Sequence, residues 1–181
     1  MRAAAIQESV EIPQGVSVTL ENNILSVKGP KGEVKKKIFH PKVALEVSGN
    51  VISFSATKPN KNVKMMLYTL LSHCRNMLAG VQNNFVYKLK ICYVHFPVTV
   101  KVEKSTVIIS NFLGEKIPRK ASILDQVKVA VAGEIITVEG VDVEKVSQTA
   151  ANIESATRIT RRDRRRFQDG CYIIEKAGVS V

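Results

Sequence analysis

What most limits the fold of this chain is that its two halves spell one pattern. Val16-Ser17-Val18-Thr19-Leu20-Glu21 returns 82 positions later as Val98-Thr99-Val100-Lys101-Val102-Glu103, and the same offset carries Gly32-Glu33 onto Gly114-Glu115. A small insertion then shifts the offset to 84, and Val43, Leu45, Val47, Gly49, Val51 and Ile52 fall on Val127, Val129, Val131, Gly133, Ile135 and Ile136. Few of these pairs are identities. What returns is the alternation of apolar residues around glycines at matching places. Internal repetition is read before any single element, so the 181 residues are expected to form two small domains in tandem, 1–84 and 85–181, each with a modest core. No Gly/Ser-rich linker separates them.

Alternation with period two marks a half-buried strand. Val16, Val18 and Leu20 share one face, as do Leu25 and Val27, then Val43, Leu45 and Val47. Gly49-Asn50 interrupts two such runs and reads as a tight hairpin, with Gly133-Glu134 at the matching place. Lys28-Gly29-Pro30-Lys31-Gly32 is a turn and not strand interior. A helical period follows in each half. Val63, Met66, Leu67, Leu70, Leu71, Cys74 and Leu78 form the first stripe, with Asn60 or Asn62 as its cap and Gly80 as its stop. Val143, Val146, Ala150 and Ile153 form a thinner second stripe behind Asp142. A further strand is expected after each helix, Phe85–Leu89 and Cys171–Ile174. The fold class is therefore α+β: two tandem copies of a small antiparallel sheet with one amphipathic helix laid on one sheet face.

Charge points to the partner. The formal charge is +11 with a pI near 9.7, which attracts polyanions. It divides as +8 over residues 1–95, −1 over 96–155 and +4 over 156–181. The last block is dense: Arg161, Arg162, Arg164, Arg165 and Arg166 lie within six residues, with Arg158 just upstream. The first half has no counterpart, so the repeat alone does not require it. Guanidinium groups grip phosphate bidentately and stay charged, which makes this block the leading RNA-binding candidate. Lys28 and Lys31, with Lys35-Lys36-Lys37 behind them, place cations on and after the Gly-Pro turn. Lys58, Lys61 and Lys64 cluster at the first helix's N-terminal end, where the dipole also favours anions. Arg119 and Lys120 form a small basic loop after Pro118.

The inventory for catalysis is thin. Gly29 to Gly32 does not fit a phosphate-binding loop of the Gly-Lys-Ser/Thr type. His73 and Cys74 are neighbours on a helix and point about 100° apart, and Cys74 lies on the apolar stripe. The carboxylates form no acid–base pair. Three widely spaced cysteines, Cys74, Cys92 and Cys171, fit neither a disulfide framework nor zinc, and suit a reducing compartment. Phe85, Tyr87, Tyr93, Phe96, Phe167 and Tyr172 flank or lie in strands and are expected to pack in the core. No signal peptide or membrane span is expected. The expectation is a non-enzymatic protein of the cytosol, transiently nuclear or nucleolar during assembly, with no cofactor, no metal, no membrane and no small-molecule substrate.

Several segments resemble a known family. Gln148-Thr149-Ala150-Ala151-Asn152-Ile153 followed by Arg164-Arg165-Arg166-Phe167-Gln168-Asp169-Gly170-Cys171-Tyr172 is similar to the C-terminal signature of large-subunit ribosomal protein six in its archaeal and eukaryotic branch, numbered nine in eukaryotes. Val27–Gly32, His73-Cys74-Arg75-Asn76-Met77, His95-Phe96-Pro97 and Asn111–Lys116 resemble further segments in the right order, with Cys171 standing where Ile or Val is usual. The resemblance implies two tandem α+β domains that bind large-subunit rRNA beside neighbouring ribosomal proteins. It also implies that the second domain lies near the sarcin–ricin stem, at the elongation-factor site, and so supports translation. The alternative is an RNA chaperone or architectural nucleic-acid-binding protein outside the ribosome.

Overall fold

The computed structural model describes residues 5–57, 59–160, 162–163 and 165–181. Lys58, Arg161 and Arg164, three of the candidate RNA contacts, lie outside the described residues. The chain divides into two compact units, Met1–Asn84 and Phe85–Val181.

In the first unit every alternating run becomes a strand. β1 (Ala5–Glu11), β5 (Ala44–Ser48) and β6 (Val51–Thr57) form one three-stranded antiparallel sheet in the order β1-β6-β5. β2 (Ser17–Glu21), β3 (Ile24–Gly29) and β4 (Gly32–Lys37) form a second, in sequence order. Helix α1 (Lys61–Gln82) follows and touches β1, β3, β4 and β6, so it packs on both sheets and not on one face of a single sheet. Two sheets meeting at one helix let a small unit enclose more side chains. Leu25, Val27, Ile52, Phe54, Leu67, Leu71, Cys74 and Val81 are buried there. Each large side chain so placed contributes about 1.5–3 kcal/mol of transfer free energy.

The second unit repeats the order. β7 (Phe85–Cys92) takes the place of β1, β8 (Thr99–Glu103), β9 (Thr106–Ser110) and β10 (Arg119–Ser122) form the small sheet, and β11 (Val127–Ala132) and β12 (Ile135–Gly140) precede helix α2 (Val143–Ala156). β13 (Gly170–Lys176) and β14 (Val179–Ser180) then extend the larger sheet to five strands, β11-β12-β7-β13-β14. The core is formed by Leu89, Ile91, Val107, Ile109, Phe112, Ile136, Val138, Val146, Ala150 and Ile153.

Two sequence expectations change. Phe85–Leu89 and Cys171–Ile174 are not counterparts behind their helices: Phe85–Cys92 opens the second unit, in keeping with the 85–181 boundary. It pairs with β12 on one side and β13 on the other, at the centre of the second unit's sheet, while β13 has no counterpart in the first unit. Gly80 does not end α1. The helix runs to Gln82, because the apolar stripe continues through buried Val81 and the Asn83 N–H still reaches the Ala79 carbonyl at 2.9 Å. Asn60 is the cap, its Oδ1 accepting from the Val63 N–H at 2.9 Å, and Asp142 caps α2 by accepting from Glu144 N–H.

The hairpins follow the expected turns. Ser48 pairs with Val51 across Gly49-Asn50, and Gly49 holds φ +56°. Gly133 holds φ +59° at the matching turn. A β-branched residue resists that conformation. Gly49→Val is expected to destabilise the first unit by about 1–3 kcal/mol, read as a lower melting temperature of the full chain; an unchanged melting curve would remove the conformational argument.

Candidate nucleic-acid interface

The described residues of the arginine block lie in the loop between α2 and β13. Its ends are tied into the unit before any ligand arrives. Thr157, at the C-cap of α2, is buried; its hydroxyl donates to the Glu154 carbonyl at 3.0 Å and accepts from the Cys171 N–H at 2.9 Å. Ile159 is buried and Phe167 packs against the core, so the loop stands on two apolar feet. Between them Asp163 organises a tight turn. Its carboxylate accepts from the Arg165 backbone N–H at 3.0 Å, and its carbonyl accepts from the N–H groups of Arg166 and Phe167.

The described arginines of the loop are exposed, and two are pre-ordered. Arg165 donates through Nε and Nη2 to the two oxygens of Asp163 at 3.1 and 3.0 Å. That hydrogen bonding holds the Asp163 carboxyl below its ordinary range. Arg162 lies over the Phe167 ring, 4.8 Å from the centroid. His95 stacks on the same ring at 5.0 Å. Arg158 and Arg166 are exposed. A guanidinium already held in one orientation loses less rotamer entropy when it meets phosphate.

Arg119 departs from its sequence reading. It lies on β10, not in a loop, and its fork is turned inward. Nε and Nη2 donate to the Glu115 carboxylate at 2.8 and 2.6 Å, and Nη1 donates to the carbonyls of Ala156 and Arg158, both at 3.0 Å. Its guanidinium also covers the Phe112 ring, 4.3 Å from the centroid. The last carbonyls of a helix need partners; Arg119 supplies one for Ala156, the last residue of α2, and binds Arg158 just past its cap. So committed, it presents no open fork to phosphate and fixes the point where the arginine loop leaves the helix. The Glu115 carboxyl is held down chiefly by the hydrogen bond from Arg119, with Arg162 adding to the field. Lys120 follows on the same strand and is exposed.

The first unit's lysines are less concentrated. Lys28 is exposed on β3 and Lys31 is exposed in the turn, but the Lys31 N–H donates to the Val81 carbonyl at 3.1 Å and so does not point at a ligand. A Cβ at Gly29 would come within 2.9 Å of Val81, so this turn is shaped by its seat on the end of α1. Lys61 opens the same helix and is exposed. Twenty-two helical residues span about 33 Å, so Lys31 and Lys61 stand at opposite ends of α1 and form no single patch. Lys35, Lys36 and Lys37 lie in β4, where Lys35 pairs with Glu33 at 3.1 Å and Lys36 Nζ is 3.1 Å from His73 Nδ1.

Other residues keep structural parts. Burial pushes the thiols of Cys74 and Cys171 up to about 11, so neither is a ready nucleophile. Among the described residues no group of three His, Cys, Asp or Glu could hold a metal ion, and no helix is long and apolar enough to cross a membrane. Of the aromatics, Tyr87 is buried and Phe85, Phe167 and Tyr172 are half-buried, but Tyr93 and Phe96 are exposed, against the expectation of core packing.

The family described as Ribosomal protein L6 matches residues 12–84 and 96–170. The chain belongs to the ribosomal protein L6 family. Each matched segment begins after its unit's first strand; the first runs to the end of its unit, and the second stops at residue 170, where β13 begins. Relatives agree over nearly the whole chain. The large ribosomal subunit protein uL6 of Methanobrevibacter smithii is 48% identical over 175 residues, 96% of this chain and 98% of the relative. That of Sulfurisphaera tokodaii is 48% identical over 177 residues, 97% and 95% of the two chains. That of Methanosarcina mazei is 47% identical over 172 residues, 95% and 98%. This is a family of structural ribosomal proteins and not of enzymes. Its C-terminal signature has a visible purpose here. Thr149 Oγ1 receives the Leu124 N–H, and Asn152 Nδ2 donates to Ser122, so the polar side of α2 holds the small sheet in place.

Proposed function

We propose that this protein is a structural constituent of the large ribosomal subunit and holds rRNA through the loop between α2 and β13. The observation that supports it best is the loop itself. Arginines are exposed on a turn whose two ends are buried, with Arg162 and Arg165 oriented in advance. Such a loop reads the position of backbone phosphates and not base sequence, which suits a folded RNA stem. Arg158, Arg162, Arg165 and Arg166, with Arg161 and Arg164 beside them in sequence, make the main grip. Lys120 lies on the same unit, and Lys28, Lys31, Lys58 and Lys61 add weaker, salt-sensitive contacts from the first unit. Arg119 acts by setting the loop's origin. We infer, on the family resemblance, that the second unit meets the sarcin–ricin stem beside the elongation-factor site, with ribosomal proteins as neighbours.

The test is the salt dependence of binding to a large-subunit rRNA fragment containing that stem. Each phosphate neutralised should add roughly 0.7–0.9 to the slope of log affinity against log salt. With four to six contacts the affinity should fall by roughly 50- to 2,000-fold between about 50 and 200 mM salt. A flat profile would exclude the phosphate mechanism. Protein that leaves the large subunit in a high-salt sucrose cushion, yet binds many RNAs alike, would favour the chaperone reading.

A further inference from the structure

The connection from β7 to β8 is held firmly yet shows apolar side chains to solvent. The Asp169 carboxylate, almost wholly buried, accepts from the Val94 N–H at 2.8 Å and lies 3.4 Å from His95 Nδ1. At the far end Asn111 Nδ2 donates to the Pro97 carbonyl at 3.0 Å. Despite these ties Phe96 is 43% exposed, beside Tyr93 at 44% and Val94 at 69%. Exposed aromatic rings on a pinned loop are not explained by the core.

The Phe96 ring has a backing. A Cβ built on Gly114 would meet three atoms at the tip of that ring almost equally, at 3.4, 3.5 and 3.5 Å. Near-equal distances to Cζ and both Cε atoms place the ring face-on over the glycine. One face is therefore covered by the glycine, while the residue as a whole stays 43% exposed. Gly114 holds φ +75°, a conformation that favours glycine, and its lack of a side chain lets the ring lie flat. The neighbouring residue, His95, stacks on Phe167, which carries Arg162. Phe96 is thus joined to the exposed Arg162 guanidinium through its chain neighbour His95 and two ring contacts.

We propose that Phe96 is a stacking platform for an unpaired base of the rRNA, held beside the arginine loop that takes the phosphates of the same strand. This rests on the rRNA-binding reading above and adds to it a class of target: a bulged or looped-out nucleotide next to a stem. Charge selects the occupant. Among the exposed arginines Arg162 is the one linked to this ring, through Phe167 and His95, and a nucleotide answers both features, its base on the ring and its phosphate on the guanidinium.

The experiment uses the full chain and an in vitro transcribed large-subunit rRNA fragment, with Phe96→Ala, Phe96→Leu and Phe96→Trp. The ring is only partly covered, so Phe96→Leu and Phe96→Trp should keep the wild-type melting temperature, while Phe96→Ala, which loses the packing on Gly114, should lower it slightly. Alanine and leucine should weaken binding roughly 5- to 100-fold with an unchanged salt slope, and tryptophan should retain affinity. If Phe96→Leu binds like wild type, stacking is overturned. If all three bind naked RNA normally but enter large subunits poorly, a neighbouring protein covers the ring and the proposal fails. Wild-type protein that bound no rRNA would overturn the function proposed above together with this inference; wild-type binding that the substitutions leave untouched overturns this inference alone.

Discussion

Arg119→Ala is expected to melt the second unit early and to loosen the arginine loop with it. An exposed ion pair would be worth less than about 1 kcal/mol, and the Glu115–Arg119 pair is only partly shielded. More is lost than that pair. The Ala156 and Arg158 carbonyls lose their donor, and Phe112 loses the guanidinium over its ring. Together these removals should cost about 2–3 kcal/mol, or a fall of about 10 °C in the melting of a unit this size. Hydrogen exchange should quicken across 157–169, and rRNA affinity should fall although no phosphate contact was removed. Arg119→Lys keeps the charge but spans fewer acceptors, and should recover less than half of the loss. If Arg119→Ala instead left stability intact and merely lowered the salt slope by about one phosphate, Arg119 would be an RNA contact after all.

Much of the fold was legible because strand alternation is local. Val18, Leu20, Leu25, Val27, Leu45 and Val47 declare their faces without knowing their neighbours. The choice of partner strand is not local. Nothing in Phe85–Cys92 says that β12 and β13 will flank it, so its central place in the second sheet is not legible from its own residues. β1 escaped notice because its face shows only Ile6 and Val10 around Glu8, too little alternation to stand out. It still pairs with β6 over seven residues, Ala5↔Thr57 to Glu11↔Val51. Gly80 misled because glycine often ends helices, whereas here the stripe of Cys74, Met77, Leu78 and Val81 outweighs the roughly 1 kcal/mol that an interior glycine costs.

The insertion between the repeats carries part of the site. In the first unit Gly29 pairs with Gly32 across a two-residue turn. In the second, residues 111–118 replace it and include a short 3-10 turn, Phe112–Gly114. This longer connection supplies Glu115 to Arg119 and Gly114 to Phe96. The shift in repeat offset was visible in the sequence, but its use was not. Arg119 reaches carbonyls 37 and 39 residues away, and a Lys/Arg count treats it like any other cation. Phe96 was grouped with core aromatics because ring type and strand proximity do not reveal which face is covered.

Replacing Arg161, Arg162, Arg164, Arg165 and Arg166 together with lysine should leave the fold intact and impair entry into large subunits. The substitution conserves +11 and removes the planar fork. Arg165 loses its two-point hold on Asp163, and Arg162 loses the flat cation that lies on Phe167. A lysine ammonium is a mobile point charge with more freedom to lose on binding. Hydrogen bonds from charged donors contribute about 1.5–3 kcal/mol each, so losing even one well-aimed fork should weaken rRNA binding at least tenfold or so. Lys35→Glu, Lys36→Glu and Lys37→Glu together shift the net charge by six units, which is the larger change in bulk field. Yet those lysines lie along β4, with Lys35 already paired to Glu33, and their replacement should do less harm to assembly. The readout is the fraction of each tagged variant in purified large subunits, alongside circular dichroism for folding. Wild-type incorporation of the all-lysine protein, with exclusion of the glutamate protein, would mean that summed charge governs binding and that the preset geometry of the loop does not.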